Sequence, residues 1–187
     1  MQAPPAIKSR PVYAPVCLQR QAQFHLFICE ADGLDILRPL VREASCLSSA
    51  LLVFGRSPAA NIETGRFCDP EQASAEVAAT LLQAPLASAI YVAGREAFLW
   101  QVRNQAREVG FADEQIRLCS PVNRLRRVFC THCYELTDDV GHTPVTCAGC
   151  KRPLLVRDHF SRFLGAYVGV QINAEDPTEE HATEELC

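Results

Sequence analysis

"FHLFICEADGLDILRPLVREA", residues 24–44, is the stretch on which the fold turns. Residues 24–30 are an apolar run of strand length. From Asp32 onward, Leu34, Leu37, Leu40 and Val41 recur at helical spacing. Pro39 falls inside that helix and is expected to shift or kink it. A buried strand feeding an amphipathic helix is the first half of a strand–helix–strand unit. The next question is whether the pattern repeats.

It does. "SALLVFGRS" (49–57) reads as a second buried strand stopped by Gly55 and Pro58, and "NIETGRFCD" (61–69) as a further short one. "DPEQASAEVAATLLQA" opens with Asp69 as N-cap and Pro70 at the first helical position, then runs apolar through Val77, Leu81 and Leu82. "SAIYVAG" (88–94) is strand again, "REAFLWQVRNQAREVG" a helix stopped by Gly110, and "EQIRLCS" (114–120) a closing strand. Strands alternating with helices over a hundred residues predict an α/β fold. Its sheet is open and mostly parallel, of Rossmann/flavodoxin-like type, with helices on both faces.

The boundaries follow from composition. Residues 1–23, with four prolines, form an extended arm; 24–121 form the α/β domain; 122–170 form a small cysteine-bearing module; 171–187 form an acidic tail expected to be disordered. A net charge of −4 argues against a nucleic-acid partner. The N-terminal stretch has no apolar run of signal-peptide kind, and no segment approaches the roughly 20 apolar residues of a membrane helix. A cytoplasmic, membrane-free protein with reduced thiols is expected. Of the ten cysteines, Cys17, Cys29, Cys46, Cys68, Cys119 and Cys187 are scattered and read as small buried hydrophobes.

The other four are not scattered. "CTHCYELTDDVGHTPVTCAGC" (130–150) holds two C-x-x-C hooks. Each hook lets two thiolates of one tight turn reach the same ion, so Cys130, Cys133, Cys147 and Cys150 form one tetrahedral sulfur set. The segment between them reads as a hairpin, giving a zinc-ribbon-like module. Zinc in a closed thiolate site is structural. Iron in the same four sulfurs would carry one electron, and a [2Fe–2S] cluster fits the spacing less well. His132 and His142 are not needed as ligands. Arg124, Arg126, Arg127, Lys151 and Arg152 flank the hooks and would offset the charge of a metal–thiolate centre. No nucleophile elbow, H-E-x-x-H or phosphate loop is present, and no catalytic residue is assigned.

Two resemblances bear on function. Residues 24–44, with "IYVAGREAFLWQVRNQAREVGFADEQI" (90–116), resemble the pyridine-nucleotide half of ferredoxin-reductase-like flavoenzymes. Where that family has its glycine-rich turn, this chain has Cys29-Glu30-Ala31-Asp32-Gly33. Glu30 and Asp32 thus stand where a pyrophosphate would lie, a like-charge clash of the order of a few kcal/mol. At the later turn Gly94 remains without its usual neighbours. The crevice near Glu30, Asp32, Gly33 and Gly94 therefore reads as degenerate, a retained scaffold with no cofactor-binding residues assigned. Residual NAD(P) binding is the alternative.

The stretch "VFCTHCYELTDDVGHTPVTCAGCKRPLLVRDHFSRFLGAYVGVQINAEDP" (128–177) resembles the DmmA-like subunit family of bacterial dimethylamine monooxygenase. The resemblance implies a haem-dependent oxidative N-demethylase complex that converts dimethylamine to methylamine and formaldehyde with NADPH and O2. Haem, FMN and 2Fe-2S centres are then expected in partner subunits. This chain would be an accessory subunit of that hetero-oligomer, with zinc (alternatively iron) and no activity alone. Its runner-up role is a rubredoxin-like electron carrier. A free-standing transcription-type ribbon is the least favoured.

Overall fold

The computed structural model describes residues 9–55, 65–172 and 182–186. They divide into two units, residues 13–123 and residues 9–12 with the chain from 124 onward.

In the first unit β1 (Phe24–Glu30) leads through a 3-10 turn at Ala31–Gly33 into α1 (Leu34–Glu43). Then come β2 (Ser49–Phe54), β3 (Gly65–Cys68), α2 (Ala73–Gln83), β4 (Ser88–Ala93), α3 (Glu96–Val109) and β5 (Ile116–Leu118). Every pairing is parallel and the strand order is β3-β2-β1-β4-β5. This is the Rossmann order rather than the flavodoxin one, and its direction of winding reverses between β1 and β4. β4 is buried along its whole length, as a strand covered on both faces must be. The expected strand in 61–69 begins at Gly65; residues 61–64 lie outside those described.

One sheet face carries Phe27, Cys29, Leu51, Val53, Tyr91 and Ala93, with Leu34 and Leu37 of α1 packed on them. The other face includes Phe54, whose ring meets Phe98 of α3 at 5.8 Å. Helices therefore lie on both faces. Pro39 sits on the exposed side of α1, so the carbonyl it leaves unbonded, that of Asp35, faces water and the helix continues. α2 is preceded by a 3-10 turn in which Asp69 Oδ1 accepts from the Glu71 N–H at 3.0 Å, the expected cap one turn early. α3 ends at Gly110, whose φ of 111° suits glycine, with the Phe111 N–H on the Ala106 carbonyl and its ring fully buried.

The expected 1–23 arm is not one piece. Residues 13–23 belong to the α/β unit. Leu18 joins its core, the Gln19 N–H donates to Tyr91 Oη, and Tyr13 Oη donates to Glu96 at 2.6 Å while accepting from Trp100 Nε1. Ser9 and Arg10 instead reach Asp158 of the second unit. Proline-rich extended chain has few internal bonds, so its place is set by side chains a hundred residues away. The scattered cysteines also divide. Burial pushes the thiols of Cys29 and Cys119 up to about 12 and about 11, but Cys17 and Cys46 are exposed, contrary to the expectation of small core hydrophobes. Cys187 lies outside the described residues.

The second unit is a five-stranded mixed sheet in the order β7-β6-β11-β10-β9, where β6 is Arg126–Cys130, β7 Leu136–Val140, β9 Val145–Thr146, β10 Pro153–Ser161 and β11 Ala166–Gln171. Only the β6–β11 pairing is parallel. The short β8 (His142–Thr143) pairs antiparallel with β12 (Glu184–Glu185). The expected acidic tail from 171 therefore contains two ordered parts: Gln171 ends β11, and Glu184–Glu185 pair with β8. Arg126 is buried with its guanidinium 4.4 Å over the Tyr167 ring and bonded to Asp158 at 2.8 Å. That bond answers the charge of Asp158.

One core group makes the α/β unit sensitive to acid. His25 is buried, and its Nδ1 lies 3.2 Å from Tyr91 Oη. Tyr91 Oη also accepts from the Gln19 N–H, and His25 Nε2 is buried without a hydrogen-bond partner. Burial lowers the His25 pKa. The unfolded chain therefore takes up a proton that the fold resists, and stability falls as pH drops below about 6.5. We expect His25→Phe to flatten this dependence, removing up to about 1.4 kcal/mol per pH unit on the acid side. Equal slopes for both proteins in denaturant titrations at several pH values would refute it.

Candidate metal centre

The two hooks are the turns of two hairpins. Antiparallel pairing of Phe129 with Leu136 makes Cys130–Cys133 the bend between β6 and β7. Pairing of Pro153 with Thr146 makes Cys147–Cys150 the bend between β9 and β10. β7 and β9 are the opposite edges of the sheet. The segment between the hooks is thus not a hairpin in itself, as the sequence suggested; its strands are divided between the two edges. The turn residues at 138–141 read as a local reversal, whereas each strand pairs with the neighbour across its own hook.

The two bends repeat one design. The Cys130 N–H bonds the Glu135 carbonyl and the Cys147 N–H the Arg152 carbonyl, both at 2.9 Å. The N–H groups of Tyr134 and Lys151 return to the carbonyls of Cys130 and Cys147. Tyr134 and Lys151, each just past the second cysteine, have φ of 65° and 61°. Left-handed backbone in non-glycine residues is uncommon, and here it turns the chain so that following amides face sulfur.

All four Sγ atoms lie within 4.8 Å of one another, with Cys130–Cys150 at 3.8 Å and Cys133–Cys147 at 3.6 Å. A tetrahedral ion with metal–sulfur bonds near 2.3 Å spaces its sulfurs about 3.8 Å apart. The donors fit a single zinc or iron ion equally well. A two-iron cluster would draw the sulfurs into two separated pairs, which this compact set does not offer. Cys130 and Cys147 are fully buried; Cys133 and Cys150 are half-buried. The Glu135 and Cys150 amides hold the Cys133 thiol down to about 6, against the effect of burial. At Cys150 the Arg152 amide also favours the thiolate, but burial and the neighbouring sulfurs outweigh it and raise the thiol to about 11.

His132 is exposed and His142 Nδ1 lies 2.9 Å from the Pro144 carbonyl, so neither joins the sulfurs. Four of the five flanking cations reach partners other than sulfur: Arg126 on Asp158, Arg127 on Asp138, Arg152 on Gln171 and Lys151 on the Ala148 carbonyl. Composition could not separate those roles. Gly149 and Thr137 were missed. A Cβ at Gly149 would lie 2.9 Å from Glu135 Cβ and 3.3 Å from Cys133 Sγ, so one bend packs on the other only because this residue is bare. Thr137 Oγ1 accepts from the Ala148 N–H at 3.0 Å, joining edge strand β7 to the far bend. The glycine inside C-A-G-C was the one available signal.

The other group of assigned positions also comes together. Glu30, Gly33 and Gly94 meet where β1 and β4 end; Asp32 is exposed on the 3-10 turn. Phe160 and Tyr167 are buried as an edge-to-face pair at 4.8 Å, Phe163 is exposed, and Trp100 is core. No helix among the described residues is long and apolar enough to cross a membrane.

Fold and site together define a Rossmann-ordered α/β unit joined to a four-cysteine sheet module. The chain belongs to the dimethylamine monooxygenase subunit DmmA-like family, whose N-terminal domain matches residues 5–116 and whose C-terminal domain matches residues 127–170. Over 98 residues it is 37% identical to the heme-dependent oxidative N-demethylase delta subunit of Ectopseudomonas mendocina (strain ymp), covering 52% of this chain and 56% of that protein. The match thus spans little more than half of the relative's length. Among solved structures, the ferredoxin reductase in carbazole 1,9a-dioxygenase (FAD apo form) aligns at 20% identity and a TM-score of 0.47, over 58% of this chain and 35% of that one.

Gly149→Ala tests the packing of the two bends. Its added methyl meets side chain and sulfur on the first bend, and a loss of about 1–3 kcal/mol is expected in thermal or denaturant unfolding. A variant as stable as the parent would show that the bends do not bear on each other.

Proposed function

We propose that this chain is a non-catalytic assembly subunit of a multi-subunit oxidative N-demethylase. The observation that carries the reading is the sulfur set. Four protein thiolates complete a tetrahedral ion and leave no position for substrate or water. Such a centre acts on geometry. Here it would pin two bends from opposite sheet edges, giving a rigid surface in a module with a small apolar core.

Family membership supports the complex. Dimethylamine as the substrate, its conversion to methylamine and formaldehyde with NADPH and O2, and haem, FMN and 2Fe-2S centres in partner chains are what the proposal takes from the family resemblance. Zinc is the proposed ion, held by Cys130, Cys133, Cys147 and Cys150, and the cytoplasm the proposed compartment. Every cysteine among the described residues is a free thiol, as a reducing compartment requires. The second reading, an iron-bearing electron carrier, rests on the amides aimed at Cys133, since hydrogen bonds to sulfur also tune the potential of iron–sulfur centres.

Coexpression with the partner subunits tests the assembly role. The tagged parent should recover larger chains and catalyse nothing by itself. Cys133→Ser or Cys147→Ser should lower partner recovery roughly ten-fold or more, because metal binding and folding of the module are coupled. Undiminished recovery by a metal-free variant would refute the role.

A further inference from the structure

In a sheet of this order the ligand crevice opens where winding reverses, between the ends of β1 and β4, and an anion there is held by amides at a helix start. In this chain that place is filled from within. The Glu30 carboxylate, at the end of β1, accepts from the Arg95 backbone N–H at 2.7 Å, directly before the first residue of α3. Its other oxygen accepts from Arg95 Nε at 3.0 Å and Nη2 at 2.8 Å. The Glu30 side chain is only 17% exposed.

The walls of the crevice also touch. A Cβ at Gly33 would lie 2.6–2.8 Å from the Ala93 carbonyl group and the Gly94 nitrogen, so the turn after β1 rests directly on the turn after β4. A Cβ at Gly94, which has a φ of 152°, would lie 2.7 Å from Glu30 Oε2 and 3.0 Å from Phe98. Both glycines are needed to bring backbone against backbone and against the carboxylate. The sequence suggested simple repulsion by Glu30 and Asp32. The geometry is different: Asp32 is exposed, and Glu30 is bound.

We propose that Glu30 is an internal anion, a carboxylate that takes the phosphate position of a dinucleotide fold and closes the crevice to pyridine dinucleotides. Arg95 is its positioning residue, clamping it with amide and guanidinium as it would clamp a ligand. The reading does not depend on the metal at the cysteines.

Three measurements on the full chain test it. NADH and NADPH titrated into the parent protein should show no saturable binding below about 1 mM; a tighter constant for either would overturn the proposal. Glu30→Ala should melt lower by the order of 5 °C. Sodium formate, a free carboxylate small enough for the vacated place, should then raise the melting temperature of E30A saturably, beyond sodium chloride of equal ionic strength and with no such effect on the parent. An E30A that melts like the parent, or that formate does not rescue, would overturn the internal-anion role. Should E30A not fold, Glu30→Gln keeps an acceptor for the Arg95 amide but loses the charge; a lowered melting temperature supports the proposal and an unchanged one overturns it.

Discussion

Two hairpin bends from opposite edges of one sheet must meet at four sulfur atoms, and the shape of the C-terminal module follows from that constraint. β7 and β9 have three strands between them in the sheet, yet the bends they lead into or out of bring all Sγ atoms within 4.8 Å. Among the described residues of this module the large buried apolar side chains are Leu154, Phe160 and Tyr167. A core of that size offsets little chain entropy, so cross-linking by an ion at the four thiols would contribute stability that burial alone does not supply. The bare Gly149, the Thr137 hydroxyl on the Ala148 amide and the repeated left-handed residues after Cys133 and Cys150 all serve the same approach.

The α/β unit meets a related problem by different chemistry. A reversal of winding at the centre of a parallel sheet leaves strand ends splayed and helix-start amides unsatisfied. Binding a ligand is one solution. Here the Arg95 amide has a carboxylate from the same chain, and the two turns close over each other at Gly33 and Gly94. Each unit thus gathers polar groups of its own chain at one point: four thiols within reach of a single ion in one, and the Arg95 amide on the Glu30 carboxylate in the other.

Much of this was legible. The strand–helix alternation was read from periodicity because buried parallel strands are continuously apolar and their helices are amphipathic, as in 24–44 and 88–110. The four cysteines were read from spacing because two C-x-x-C turns satisfy tetrahedral sulfur by simple geometry. What escaped was long-range. "DDVGH" looks like a turn that folds its flanking strands together, yet pairing is decided by which neighbour offers a matching face, and β7 and β9 chose β6 and β10. The arm was misplaced for the same reason, since Ser9 and Tyr13 take partners at Asp158 and Glu96 that no local pattern announces. The partner of Glu30 is likewise invisible in the sequence. A carboxylate in a degenerate turn reads as repulsive until an arginine 65 residues on is seen to hold it.

If the cysteine centre is a closed structural staple, metal analysis with a visible absorption spectrum on the chain within its native complex, after growth with zinc and iron both available, should find one zinc per chain and no absorption arising from the cysteine site. One iron per chain, with a thiolate charge-transfer band that bleaches on reduction, would contradict it and make the site an electron carrier.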